Sequence, residues 1–196
     1  MADKFKYTDE ELILKFQNGD EYAYLELVKR YRDKLMNFIF RYFGNREDAE
    51  DIVQETCIKL YTHKHYYREI AKFSTWIYTI AANLAKTELR KRKRRKVSYL
   101  SQMGLENKDY DIPTNDNFIE YTEGRFSEEE IQNTIMKLPL HFRSAVILRD
   151  IQELSYEDIS KILDVPLGTV KSRINRARLQ LQNELEHINK SRRSQI

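Results

Sequence analysis

Ser155 to Gln182, SYEDISKILDVPLGTVKSRINRARLQLQ, reads as a helix-turn-helix whose second helix is basic. Ser155 is placed to cap a short first helix that turns Ile159, Ile162 and Leu163 inward. Asp164-Val165-Pro166-Leu167-Gly168 then breaks that helix with Pro and Gly, and Thr169 is expected to start the next. There Val170, Ile174, Ala177 and Leu181 recur at spacings of four, three and four, an apolar stripe that packs on the rest of the unit. The remaining faces carry Lys171, Ser172, Arg173, Asn175, Arg176 and Arg178. Long basic side chains neutralise phosphates, whereas Ser, Asn and Arg hold the donors and acceptors that read base edges in a major groove. The stretch therefore points at DNA; the alternative is an ordinary helical hairpin with a solvated basic face.

Working outward, the charge is divided along the chain. The net value of +3 conceals 21 basic against 15 acidic residues over 1–96, 2 against 6 over 97–126, and 11 against 10 over 127–196. Two units thus flank an acidic spacer. Val97 to Phe126 is rich in Ser, Gly, Asn, Asp and Pro and keeps no helical or strand period, so it reads as a flexible linker between two domains. A short basic tail, 191–196, follows the second unit. With 41% hydrophobic and 33% charged residues, the chain has the make-up of a water-soluble, helix-rich protein. No apolar run approaches the roughly 20 residues that span a bilayer, and the first residues lack a signal-peptide core, so a cytoplasmic location is expected. Cys57, the single cysteine, excludes an internal disulfide and, beside Ile52, Val53 and Ile58, reads as a core residue.

The first unit is helical by pattern. Thr8 with Glu11 makes a capping box, Gly19 closes the first helix and Asp20 opens the second. Tyr24, Leu27, Val28, Tyr31, Leu35, Phe38, Ile39 and Tyr42 then repeat at threes and fours until Gly44. Asn45 is placed to cap a third helix with Ala49, Ile52, Val53, Thr56 and Leu60 inward. Its opposite stripe carries Asp48, Asp51 and Glu55, read as unpaired acids that, with Gln54, suit docking on a basic surface of another protein. Tyr61 to Phe73 loses the period and reads as a loop whose rings and cations suit stacking on unpaired bases; packing against the core is the alternative for Phe73 and Trp76. A zinc site built from His63, His65 and Cys57 lacks both a fourth ligand and a usual spacing, so no metal or other cofactor is expected. Ser74 is expected to cap a last helix carrying Asn83, Lys86, Thr87 and Arg90 on one face. It ends in seven consecutive bases, Arg90 to Lys96, whose natural partner is a polyanion.

Three ordered segments carry a resemblance. Asp48-Ala49-Glu50-Asp51-Ile52-Val53-Gln54-Glu55-Thr56, Phe73-Ser74-Thr75-Trp76-Ile77-Tyr78-Thr79-Ile80-Ala81-Ala82-Asn83, and Leu138-Pro139 through the helix-turn-helix to Arg178 resemble the extracytoplasmic-function (ECF) type of bacterial RNA polymerase sigma factors. The resemblance implies an all-α fold of two small helical domains, sigma-2 over 1–96 and sigma-4 over 127–190. It implies core RNA polymerase and promoter DNA as partners, a cognate anti-sigma factor, and neither enzymatic activity nor a small-molecule substrate. By position it assigns Asp48, Asp51, Gln54 and Glu55 to the polymerase clamp. Tyr67, Arg68, Phe73, Asn83, Lys86, Thr87 and Arg90 fall to the -10 element and its melting. Arg149, Tyr156, Glu157, Lys171, Ser172, Arg173, Asn175, Arg176 and Arg178 fall to the -35 element. Thr79 departs from the pattern, standing where the family often has an arginine. Two rival classes use fewer of these features. A helix-turn-helix regulator that binds operators without polymerase leaves the first unit without a role. An enzyme acting on nucleic acid, with a metal site at Asp48, Asp51 and Glu55, lacks a converging partner for that stripe.

Overall fold

The computed structural model describes residues 7–102 and 126–193, with side chains described through 95 and through 190. Every regular element among them is helical. In chain order these are α1 (Asp9–Gln17), α2 (Glu21–Phe43), α3 (Arg46–Thr62), α4 (Phe73–Gln102), α5 (Glu128–Lys137), α6 (Leu140–Val146), α7 (Tyr156–Leu163) and α8 (Leu167–Arg193). A 3-10 turn, Lys64–Tyr66, follows α3, and a π-helical turn, Ile147–Ile151, follows α6.

The helix ends fall largely where short polar residues put them. Thr8 and Glu11 close a reciprocal capping box, the Asp20 and Asn45 side chains accept backbone N–H groups of α2 and α3, and Ser155 accepts the Asp158 N–H at the start of α7. Gly44 ends α2 in the left-handed region at φ 76°, where a Cβ would be strained. Ser127 and Glu130 add a second capping box, at α5.

Four boundaries differ from expectation. Ser74 lies inside α4, which begins at Phe73; the Phe73 N–H instead donates to the Glu10 carboxylate of α1 at 2.9 Å, a cap supplied across the fold. The basic run does not end α4, because the helix continues past Lys96 to Gln102, through the first residues expected in the linker. Arg92 within that run bonds Asp48 through both terminal nitrogens at 2.5 and 2.6 Å and Glu88 at 3.2 Å, which neutralises part of the self-repulsion. In the helix-turn-helix, Asp164 ends α7 in the left-handed region at φ 54°, the Pro166 carbonyl accepts the Val170 N–H at 3.1 Å, and α8 starts at Leu167. Gly168 therefore sits in the first turn of α8. Residues 103–125 of the expected linker and 194–196 of the expected tail lie outside the described residues.

α2 is the central helix of the first unit, packed by α1, α3 and α4. Leu27, Tyr31, Leu35, Phe38, Ile39 and Tyr42 are buried on it, while Tyr24 and Val28 are partly covered. The second unit packs α6 and α7 on α8 through Ile159, Ile162, Val170, Ile174 and Ala177. The two units also pack on each other, α4 against α7 and α2 against α5 and the π-helical turn. One buried apolar cluster consequently runs from Leu12 to Ile174.

Candidate nucleic-acid interface

α8 presents the expected residues to solvent. Val170, Ile174 and Ala177 are buried on one side of α8, and the 3.6-residue repeat leaves Lys171, Ser172, Asn175 and Arg176 exposed on the others. Arg173 is half-buried against α4. Arg178 is exposed but engaged, its Nε donating to Asp150 Oδ2 at 2.9 Å and its Nη2 to Oδ1. It therefore positions α8 on the turn before α7, a correction to its reading as a cation open to phosphate.

The π-helical turn organises a second part of this face. Its wider loop, with Gln152 N–H donating to Ile147 carbonyl at 3.0 Å, carries Arg149 over the Tyr156 ring at 4.8 Å, while Arg149 Nη1 donates to the Leu154 carbonyl at 2.8 Å. Arg149, Tyr156 and Glu157 thus gather at the N-terminus of α7.

On α4 the polar face is also as expected: Asn83, Thr87 and Arg90 are exposed and Lys86 is half-buried. The Thr79 hydroxyl bonds back to the Thr75 carbonyl at 2.7 Å, so it offers no proton to a ligand.

The loop before α4 differs from expectation. α3 runs on through Tyr61 and Thr62, so the irregular segment is shorter. Tyr67 is 3% exposed, its ring against Phe73 and Trp76 and its hydroxyl donating to the Ala71 carbonyl at 2.9 Å. Phe73 is fully buried against Tyr31 as well. Both rings therefore face the core of the folded chain, which corrects their reading as surface platforms. Burial raises the Tyr67 phenol above its ordinary range, with Glu10 and Glu69 adding to the shift. The ring presented to solvent is Tyr66, 72% exposed, with Arg68 exposed nearby. Position along the resemblance picked Tyr67 of the two adjacent tyrosines, and an irregular loop has no period to say which one points inward.

The acidic stripe of α3 is likewise narrower. Asp48 is taken by Arg92, and Glu55 lies 3.8 Å from Lys59. Asp51, Gln54 and Glu55 remain exposed, and Ile58, one turn further, joins them at 55% exposure instead of packing beside Cys57. Cys57 is half-buried, and burial holds its thiol above the ordinary range, which makes it a poor nucleophile. Among the described residues no three His, Cys, Asp or Glu side chains gather to hold a metal ion, and no helix is long and apolar enough to cross a membrane.

Residues 27–95 match the family model for Sigma-70 region 2, and residues 128–181 that for Sigma-70 region 4. The chain is 37% identical over 185 residues to the ECF RNA polymerase sigma-E factor of Haemophilus influenzae, covering 92% of this chain and 97% of the relative. It is 35% identical over 189 residues to the ECF RNA polymerase sigma factor SigW of Bacillus subtilis, covering 90% and 96%. Among solved structures, the sigma factor RpoE of Bartonella quintana, crystallised with the anti-sigma factor NepR, matches with a TM-score of 0.67 and 25% identity over 81% of this chain and 94% of that one. CnrH, solved with the cytosolic domain of CnrY, shares the fold at a TM-score of 0.66 and 21% identity, over 91% of this chain and 97% of that one. Two basic helical faces on two packed units, matched in order along nearly the whole chain, place this protein in the ECF group of the sigma-70 family of RNA polymerase sigma factors.

Proposed function

We propose that this chain docks on core RNA polymerase through α3 and directs it to promoters by reading a -35 element with α8 and opening a -10 element with α4 and the loop before it. Sigma-2 would comprise 1–96, sigma-4 127–190, with 97–126 linking them in the cytoplasm. The observation that carries this reading is the division of labour on α8, where an apolar stripe anchors the helix while Lys171, Ser172, Asn175 and Arg176 stand free of the core. Arg149, Tyr156, Glu157 and Arg173 flank that face. On the other unit Arg68, Asn83, Lys86, Thr87 and Arg90 follow the -10 strands, and Tyr66 stacks on an unpaired base. An anti-sigma factor is the further partner this reading brings, as RpoE was solved with the anti-sigma factor NepR.

Reading and positioning separate by mutation. Arg176→Ala is expected to relax preference at one base pair of the -35 element by about 1–3 kcal/mol, since a guanidinium can grip a guanine edge with two bonds. Lys171→Ala should weaken all sequences alike and reduce the salt slope by about one. A base-substitution scan at several salt concentrations measures both, and identical profiles for the two variants would remove the distinction. Promoter-specific initiation after addition of core polymerase tests the reading as a whole, because an operator-binding regulator confers none.

Docking is tested on α3. Asp51→Ala combined with Glu55→Ala deletes two exposed carboxylates and leaves Ala49, Ile52, Val53 and Leu60 buried as before. The fold should persist while affinity for core polymerase falls about tenfold or more, the range in which charge pairs at a protein interface act. Unchanged affinity in a pull-down titration would mean that polymerase docks elsewhere.

A further inference from the structure

The loop that carries Tyr66 and Arg68 is held in place by α1, an element that lies before the stretch matched to Sigma-70 region 2. Its own backbone bonds are short turns: Tyr66 N–H to the His63 carbonyl at 2.9 Å, Tyr67 N–H to Lys64 at 3.3 Å and Ala71 N–H to Arg68 at 3.5 Å. Such bonds curl the chain but do not fasten it to the fold. Fastening comes from a side-chain amide. Gln17, half-buried in the last turn of α1, donates from Nε2 to the Lys64 carbonyl at 2.7 Å and to the Tyr67 carbonyl at 3.3 Å. An amide nitrogen has two hydrogens, so both are spent on carbonyls that stand on either side of Tyr66 in the chain. Beside it, Lys64 Nζ lies 4.1 Å from the centre of the ring of Phe16, the residue before Gln17. Glu10 sits two helical turns earlier on the same face of α1, and its carboxylate takes the Phe73 N–H at 2.9 Å, where the loop ends. One face of α1 thus holds both ends of the segment, while the buried Tyr67 ring packs on Phe73 and Trp76.

We propose, on the reading of Tyr66 as the stacking ring, that Gln17 is a positioning residue for promoter opening: it fixes the backbone around Tyr66 before DNA arrives, so that the ring is already aimed when a base leaves the duplex. Ordering a loop on binding costs conformational entropy, and a loop ordered in advance has already met that cost. The amide is needed for its protons. Glutamate has nearly the same shape but, ionised, no proton to give, so Gln17→Glu sets a carboxylate against two carbonyl oxygens. Leucine leaves both carbonyls without this donor and adds no charge. In either variant the loss falls on the step that unstacks a base. Polymerase docking through Asp51 and Glu55 and -35 reading by α8 use other groups and should keep their affinities.

Two measurements on the full chain test this role. Trp76 is the single tryptophan and its ring lies 5.6 Å from that of Tyr67, so quenching of its fluorescence by acrylamide reports release of the loop without polymerase or promoter. Gln17→Leu and Gln17→Glu should both raise the quenching constant, about twofold or more, at parental helix content, whereas Asn18→Ala, at an exposed neighbour, should leave it unchanged. With core polymerase, the two Gln17 variants should initiate about fivefold or more weakly than the parent on a duplex promoter, the weight of a neutral hydrogen bond, and like the parent on a template already opened over the -10 element. Parental quenching in both variants would overturn the proposal, since Gln17 then fastens nothing. Equal loss on both templates would overturn it too, by giving Gln17 a role in the fold alone, and so would parental activity on both. If the parent itself initiates at no promoter, the promoter reading falls and takes the role in opening with it, while the quenching result still shows whether Gln17 fastens the loop.

Discussion

Phe73→Ala is expected to lower the stability of the chain by about 3–5 kcal/mol, the cost of removing a fully buried aromatic ring and leaving a cavity. The ring centroid lies 5.1 Å from that of Tyr31, 6.0 Å from Trp76 and 6.1 Å from Tyr67, so its loss leaves three neighbours from α2, α4 and the loop without a packing partner. Its backbone N–H, held by Glu10, ties the start of α4 to α1. Denaturant unfolding measures the effect, and a midpoint equal to the parent's would place Phe73 outside the core. Tyr66→Ala makes the complementary case, because an exposed residue changes stability by no more than about 0.5 kcal/mol. It should impair transcription from a duplex promoter but spare a template already opened over the -10 element, as expected of a ring that offsets the cost of unstacking a base. Tyr67→Ala, by contrast, should lose activity on both templates, through the fold.

Where the chain obeys a period, the structure was legible beforehand; where it does not, tertiary contacts decided. The apolar repeat of α2, the capping residues Thr8, Asp20, Asn45 and Ser155, and the buried stripe Val170, Ile174 and Ala177 follow from local chemistry and stand as expected. The exposed face of α8 follows from that stripe, since a helix that fixes one side fixes the others. Side-chain pairing did not follow. Asp48 and Arg92 are far apart in the chain and meet only because α3 packs on α4, so no spacing rule along one helix finds them. The same holds for Arg178 with Asp150 and for the cap that Glu10 supplies to Phe73. Ile58 was misplaced for the opposite reason. Its neighbours Ile52 and Val53 are buried, but at six and five residues' remove they lie on another face of the helix.

The packing of one unit on the other was not legible at all, and beside the shared apolar cluster it is fastened by polar residues that look unremarkable in sequence. Asp158 is 6% exposed at the start of α7, where its carboxylate accepts from Ser155 Oγ at 2.6 Å, from Thr75 Oγ1 of α4 at 2.9 Å and from Lys72 Nζ at 3.1 Å. Tyr78 donates to Gln152 nearby at 2.5 Å, and Gln152 donates in turn to Asn37 at 3.3 Å. Asp158→Ala leaves the Thr75 hydroxyl without its acceptor and deletes the charge that draws Lys72. Hydrogen bonds to a charged group are worth about 1.5–3 kcal/mol each, but Lys72 is largely exposed and its ion pair is screened, so the loss should total about 3 kcal/mol. Small-angle scattering of the variant should report a larger radius of gyration than the parent, with helix content unchanged. A parental radius would assign the packing to the apolar contacts alone. Acid should act in the same direction. Burial opposes ionisation of Asp158, but the bonds from Ser155, Lys72 and Thr75 outweigh it and hold the carboxyl below its ordinary range. The contribution of this group to the packed arrangement is therefore fully present above a pH of about 4, the range of an unperturbed aspartate, and is lost as pH falls through the lowered value. Asp158→Asn should abolish that acid-dependent step while retaining part of the bonding, because an amide oxygen still accepts from Thr75. If the parent and Asp158→Asn expand at the same pH, another carboxylate sets the transition.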